Sequence, residues 1–185
     1  MVLCLRHAES ENVVAGASGA LPGARLTARG RGQAAGLRGL EVTRAYVSAT
    51  VRARETAAPI GVPVTELGGL AEVGIGAREG EVDARLRRET ADVLRAWVVD
   101  GYLDRRVEPD GETGHDVLAR MTAALAIVAR DPGRPVVIGH VASLTLALSV
   151  LCGLGAEVWG TPLPHAVPFP LRWDGTRWHC PRWPA

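Results

Sequence analysis

Lysine is absent: all 21 basic residues of the 185-residue chain are arginine. That removes chemistry on a lysine amine and the lysine of a P-loop, so any phosphate held here meets planar, bidentate guanidinium. An excess of either charge is missing too, since 21 basic and 20 acidic residues leave a net charge of +1. With no global field for nucleic acid or an anionic membrane, an anion site has to be local. Cysteine is sparse. Cys4, Cys152 and Cys180 are odd in number and irregular in spacing, which gives neither a disulfide framework nor a CxxC metal clip. No stretch approaches the ~18 consecutive apolar residues that suggest a membrane span. The short apolar run Val2 to Leu5 meets Arg6-His7 at once and lacks the apolar centre of a signal peptide. The expectation is a reducing, cytoplasmic setting without nucleic-acid or membrane partners.

What is present is ordinary for a globular protein, 47% hydrophobic and 22% charged, so the chain can bury a core. Its length falls within the ~100 to 200 residues of one domain, and no linker divides it; one domain over 1–185 is expected. Val2 to Leu5, Ala45 to Ser48, Val62 to Thr65 and Pro135 to Ile138 read as short buried strands. Between them, Thr27 and Thr50 cap helices, and Thr113 with Asp116 makes a capping box ahead of the stripe Val117, Leu118, Met121, Leu125 and Val128. Asp83 to Val99 reads as an amphipathic Arg-rich helix, and an apolar helix follows His140 and ends near Gly153. This alternation predicts an α/β three-layer sandwich, a mostly parallel central sheet with helices on both faces. The Gly-rich stretch from Ala8 to Arg25 reads as loop. Asp174-Gly175 predicts a two-residue hairpin with Trp173 opposite Thr176 and Arg172 opposite Arg177.

In parallel sheets, functional residues gather beyond the carboxyl ends of strands. Two such ends deliver Arg6-His7 and Gly139-His140, and Arg52 follows a third. Two guanidiniums could there converge on a tetrahedral oxyanion. A lone histidine is more often a loop or cap residue, and a lone Arg52 a solvated one; the pairing is what points to chemistry.

Leu5-Arg-His-Ala-Glu-Ser10 resembles the RHG signature of the histidine phosphatase superfamily, the phosphoglycerate-mutase-like fold. Four further segments resemble that family in order. These are Ser48-Ala-Thr-Val-Arg52-Ala with Thr56-Ala57, Leu70-Ala-Glu72 with Gly76 and Glu79-Gly80, Asp110-Gly-Glu112-Thr113 with Arg120, and Val137-Ile-Gly-His140. The resemblance implies a neutral His7 that attacks phosphorus and becomes phosphohistidine. It further implies Arg6, Arg52 and a protonated His140 on the nonbridging oxygens, and Glu72 as proton donor and then base. It implies no cofactor and no metal.

Departures from the pattern bear on the loops. Ala8 stands where the family usually has Gly, and Ala49-Thr50 replace the usual Pro and apolar residue. Val141-Ala142 replace Gly-Gly, which should narrow the site. The family's phosphate-contacting Asn falls one residue beyond Asn12, so Asn12 either reaches the phosphate through a rearranged loop or simply turns the chain. His115, Glu112 and the Arg-rich stretch 78–88 could border the substrate, but a capping turn and a solvated helix face are the favoured readings; His165 and His179 read as structural. Trp159, Trp173, Trp178 and Trp183 suit core packing or a homodimer contact.

The expected activity is that of a metal-independent phosphomonoesterase on a small phosphorylated metabolite. The alternatives are a phosphomutase with the same pocket, and a weakly active phospho-ligand binding module. Water exclusion would separate the first two, and 81–110 is the candidate for a partial lid. A metal hydrolase using His7, Glu9, Glu72 and His140 is disfavoured because Arg6 would sit beside the cation.

Overall fold

Every residue of the first strand from Val2 to Leu5 is buried, and alternate side chains enter different cores. Val2 and Cys4 join one cluster while Leu3 and Leu5 join the other, the period-two signature of a strand covered on both faces. The computed structural model describes residues 1–184. It has one six-stranded sheet in the order β3-β2-β4-β1-β5-β6. The strands are β1 (Val2–Arg6), β2 (Arg44–Val47), β3 (Val64–Glu66), β4 (Pro135–Gly139), β5 (Phe169–Trp173) and β6 (Trp178–His179). The first four pair in parallel, with Leu5 beside Ile138 and Arg6 beside Gly139, whereas β5 runs antiparallel to β1 and to β6. The mostly parallel sandwich read from the sequence is therefore the fold.

The helices are α1 (Glu11–Ala15), α2 (Ala28–Ala35), α3 (Val51–Ala57), α4 (Ala84–Arg95), α5 (Gly114–Val128) and α6 (Val141–Leu151). Leu37, Ala53, Ala57 and Ile60, from α2, α3 and adjoining turns, pack on Leu3, Leu5, Val47 and Ile138. Residues of α4, α5 and α6 pack on the other face with Cys4, Val137 and Leu171. Local chemistry starts the helices where expected: Thr27 and Thr50 accept from Gly30 N and Ala53 N, and Thr113 forms a reciprocal box with Asp116. Asp83 caps α4, which buries Leu86 and Val93, widens into a π-helical turn over Ala96–Asp100 that buries Trp97, and stops at Gly101 with φ 73°.

Two expectations are corrected. The stretch 8–25 is not all loop, because five residues form α1, ended by the left-handed Gly16. The hairpin pairs Trp173 with Trp178 and Arg172 with His179, so Arg172 does not face Arg177. The cause is Asp174, whose Oδ1 accepts from both Thr176 N and Arg177 N at 2.9 Å. This side-chain turn closes a four-residue loop in place of the two-residue one and brings the two indoles to 5.4 Å.

Candidate active site

His7 N continues the parallel ladder by donating to Gly139 O at 3.0 Å, so the residue after β1 is held rigidly beside the end of β4. Its ring is buried, and its Nδ1–H can only donate to the Ala8 carbonyl oxygen, 2.7 Å away. Nε2 therefore carries the lone pair, and it accepts from Arg52 Nε at 3.2 Å. His140, fully buried at the start of α6, lies with its ring centroid 5.0 Å from that of His7. Its Nδ1 accepts from Arg52 Nη2 at 3.1 Å, which puts the proton on Nε2, where it donates to Ser48 Oγ at 2.7 Å. With these partners both rings are neutral. Burial, and next the neighbouring charges, push both well below the usual histidine range.

Arg52 stands at the second position of α3 and is 1% exposed. Its other donors go to Leu21 O and Ala20 O, each at 2.7 Å. Every acceptor it has is neutral, and among the described residues no carboxylate pairs with it. A buried cation left unneutralised is costly, on the order of several kcal/mol, and an anion brought beside it would offset that cost. Arg6 donates Nη1 to Leu163 O at 3.1 Å, while its buried Nε has no partner among the described residues.

Glu72 reaches the start of α6. Oε1 accepts from Ser143 N at 2.9 Å and Val73 N at 3.0 Å, and Oε2 from Ala142 N at 3.2 Å. It supplies the cap that His140 does not and complements the positive end of the helix dipole. Arg120 braces the segment by donating to Gly69 O, Ala71 O and Glu72 O at 2.7–3.1 Å. Glu112 grips Arg120 through both carboxylate oxygens at 2.6 and 2.9 Å and takes Gly74 N. The bracing leaves no room at Gly69, where a Cβ would lie 2.5 Å from Arg120 O. Glu79 acts similarly on the neighbouring loop, accepting from Ala20 N and Ile75 N, and so steadies the carbonyls that Arg52 uses.

Arg6, His7, Arg52 and Glu72 line one end of a cleft of about 260 Å³, which Arg87, Thr90, Ala91 and Leu94 of α4 continue. His140 sits behind this surface. The sequence model of the histidine phosphatase superfamily (branch 1) matches residues 2–185. The chain belongs to this superfamily. No curated protein matches by sequence. Among solved structures, a mycobacterial glucosyl-3-phosphoglycerate phosphatase in complex with VO3 is 24% identical, with 98% of this chain and 97% of that one covered at a TM-score of 0.78. The α-ribazole phosphatase of Shigella flexneri is 22% identical over 97% and 93%, TM-score 0.75. The product of an open reading frame of Mycobacterium tuberculosis is 27% identical over 95% and 93%, TM-score 0.72.

In this histidine phosphatase superfamily member the structure gathers Arg6, His7, Arg52, Glu72 and His140 into one place. Asn12, on α1, lines the cleft and also accepts from Ser10 Oγ at 2.7 Å. Ala8 fits: it is fully buried, and its N–H donates to Thr56 Oγ1 at 3.0 Å. Glu9 is turned away toward Thr27 and Arg29, and among the described residues no group of three His, Cys, Asp or Glu could hold a metal ion. Glu112 braces and His115 is exposed; in the Arg-rich stretch 78–88 Arg87 is solvent-exposed on α4, as expected of a solvated helix face, and also lines the cleft. His165 is closer to the chemistry than its sequence context implied: its Nδ1 donates to His7 O at 2.8 Å and its ring lies 5.6 Å from that of His7. Its separation of 158 residues left no local signal. Among the described residues no helix is long and apolar enough to cross a membrane.

Proposed function

We propose that this chain is a metal-independent phosphomonoesterase that works through a phosphohistidine on a small phosphorylated metabolite. The observation that carries the reading is the arrangement around Arg52, a buried cation with no carboxylate partner whose donors face lone pairs of both histidines. A phosphoryl group entering between them takes the guanidinium donors and releases the His7 lone pair. Nε2 of His7 then attacks phosphorus as the ester P–O bond breaks. The leaving oxygen takes a proton from Glu72, which has received it from a phosphate monoanion.

Nδ1–H remains bonded to Ala8 O throughout, so the adduct is a phosphorylated imidazolium, a good leaving group. Water attacks it, Glu72 takes the water's proton, and inorganic phosphate departs with His7 restored. Arg6, Arg52 and His140 stabilise charge on the nonbridging oxygens. His140 serves there by taking a proton once the anion is beside it, and Asn12 is placed to add a donor. Membership of the superfamily and the phosphatases among its structural neighbours support the same activity, and the neutral, oriented His7 favours catalysis over mere phospho-ligand binding.

The test is rapid quench with labelled phosphate ester in the presence of a chelator. An acid-labile adduct on His7, lost with turnover in His7→Ala, is the expected result. Phosphate on Ser10 or Ser143, or activity abolished by the chelator, would overturn it.

A further inference from the structure

Positive charge in the cleft is not confined to Arg6 and Arg52, the two guanidiniums assigned to the phosphate. Its lining contains the guanidiniums of Arg6, Arg52 and Arg87 and a single carboxylate, Glu72, already engaged by three backbone amides. Among the described residues Arg87 and its neighbour Arg88 lack the partners that Arg78, Arg85 and Arg95 have, and of the two only Arg87 lines the cleft. Arg78 pairs with Glu81, Asp83 and Glu89, Arg85 with Glu89 and Arg95 with Asp100. Among the described residues Arg87 has neither an ion pair nor a side-chain hydrogen bond, although it is flanked by acids that other arginines have taken. It shares a helical stripe with Thr90, Ala91 and Leu94, which spacings of three and four residues turn toward the cleft. The guanidinium lies over Gly16 at the end of α1, where any Cβ would collide with it.

A second polar group is unspent in the same cleft. Ser18, two residues beyond Gly16, lines the cleft and is 6% exposed, and its hydroxyl has no partner among the described residues. A buried hydroxyl without a partner is unfavourable unless something completes it. We infer that Arg87 and Ser18 form a second anion subsite, which selects phosphomonoesters whose alcohol carries a carboxylate or a further phosphate. The inference rests on the phosphatase reading above and narrows its substrate class. The planar fork of Arg87 suits either group, with Ser18 adding one hydroxyl donor and Leu94 and Ala91 packing against the carbon skeleton between the two charged ends.

The test compares matched esters in the intact protein: 3-phosphoglycerate against glycerol 3-phosphate for the carboxylate, and fructose 1,6-bisphosphate against fructose 6-phosphate for the second phosphate. The anionic member of at least one pair should have the higher kcat/KM, by roughly 10- to 100-fold, the worth of a charge-assisted hydrogen bond or two. Which pair shows it identifies the group. Arg87→Gln should collapse that ratio mainly through KM, Arg87→Lys should restore part of it, and Ser18→Ala should lower it several-fold. A wild-type ratio near one in both pairs, or an Arg87→Gln variant that loses equally on both members, would overturn the subsite. Failure of the phosphatase reading looks different: no ester, p-nitrophenyl phosphate included, would be hydrolysed and no phosphohistidine would form.

Discussion

His7 and His140 are held neutral by burial, and this has opposite consequences for chemistry and stability. A neutral His7 keeps in mild acid the Nε2 lone pair that the proposed attack on phosphorus requires. The unfolded chain, however, binds protons at these histidines below about pH 6.5 while the folded one resists them. Because the folded values are depressed, the stability they contribute is complete above that pH and is lost as pH falls through the window beneath it. Melting temperature should therefore drop by several degrees between pH 7 and pH 5, and a His7→Gln, His140→Gln double variant should show a flatter profile by calorimetry; an equally steep one would place the effect elsewhere. Glu72 is tested separately. Replacing it with Gln should slow turnover about 10²- to 10⁴-fold, the usual worth of a general acid, and more for an alkyl than for an aryl phosphate, because an alkoxide needs the proton more. Equal losses would remove Glu72 from that role.

The elements around Glu72 act as a frame. No regular helix or strand carries the segment 71–75, so its position depends on Arg120 from α5 and on Glu112 just ahead of that helix. Arg120→Ala leaves three carbonyls and one carboxylate without their partner. The expected outcome is a lower melting temperature together with a kcat loss that, as for Glu72→Gln, is larger on alkyl than on aryl phosphates. A purely structural role would lower stability and leave that leaving-group ratio alone. Helix α4 forms the opposite wall, and its place is set by Leu86, Val93 and Trp97 in the core.

At the scale of the molecule, access of water to the cleft decides between hydrolysis and transfer. Of the 81–110 segment considered as a partial lid, α4 is anchored in the core, while the turn beyond Gly101 contributes no lining residue. A phosphohistidine persists long enough to meet a second acceptor only when water is kept away. Hydrolysis should therefore outrun transfer. With 3-phosphoglycerate and a bisphosphoglycerate primer, phosphate release is expected to exceed isomer formation, and a large excess of isomer would make the chain a mutase.

Local chemistry was legible in the sequence because it depends on neighbours a few residues apart. Apolar runs made β1 and β4, Thr27, Thr50 and Thr113 started helices, and the motifs marked Arg6, His7, Arg52, Glu72 and His140 as a set. The missed features depend on partners distant in sequence or on how a short turn closes. The hairpin register followed from the Asp174 side chain rather than the Asp-Gly pair. His165 meets His7 across 158 residues. The tautomer of His7 follows from the Ala8 carbonyl at its Nδ1 and that of His140 from where Arg52 points, and Arg87, unlike Arg88, lines the cleft because of which side of α4 faces it. Residue identity determined which groups could do chemistry; the tertiary structure decided which lone pairs, charges and hydroxyls are left without a partner, because burial and hydrogen bonding are settled only when distant segments meet.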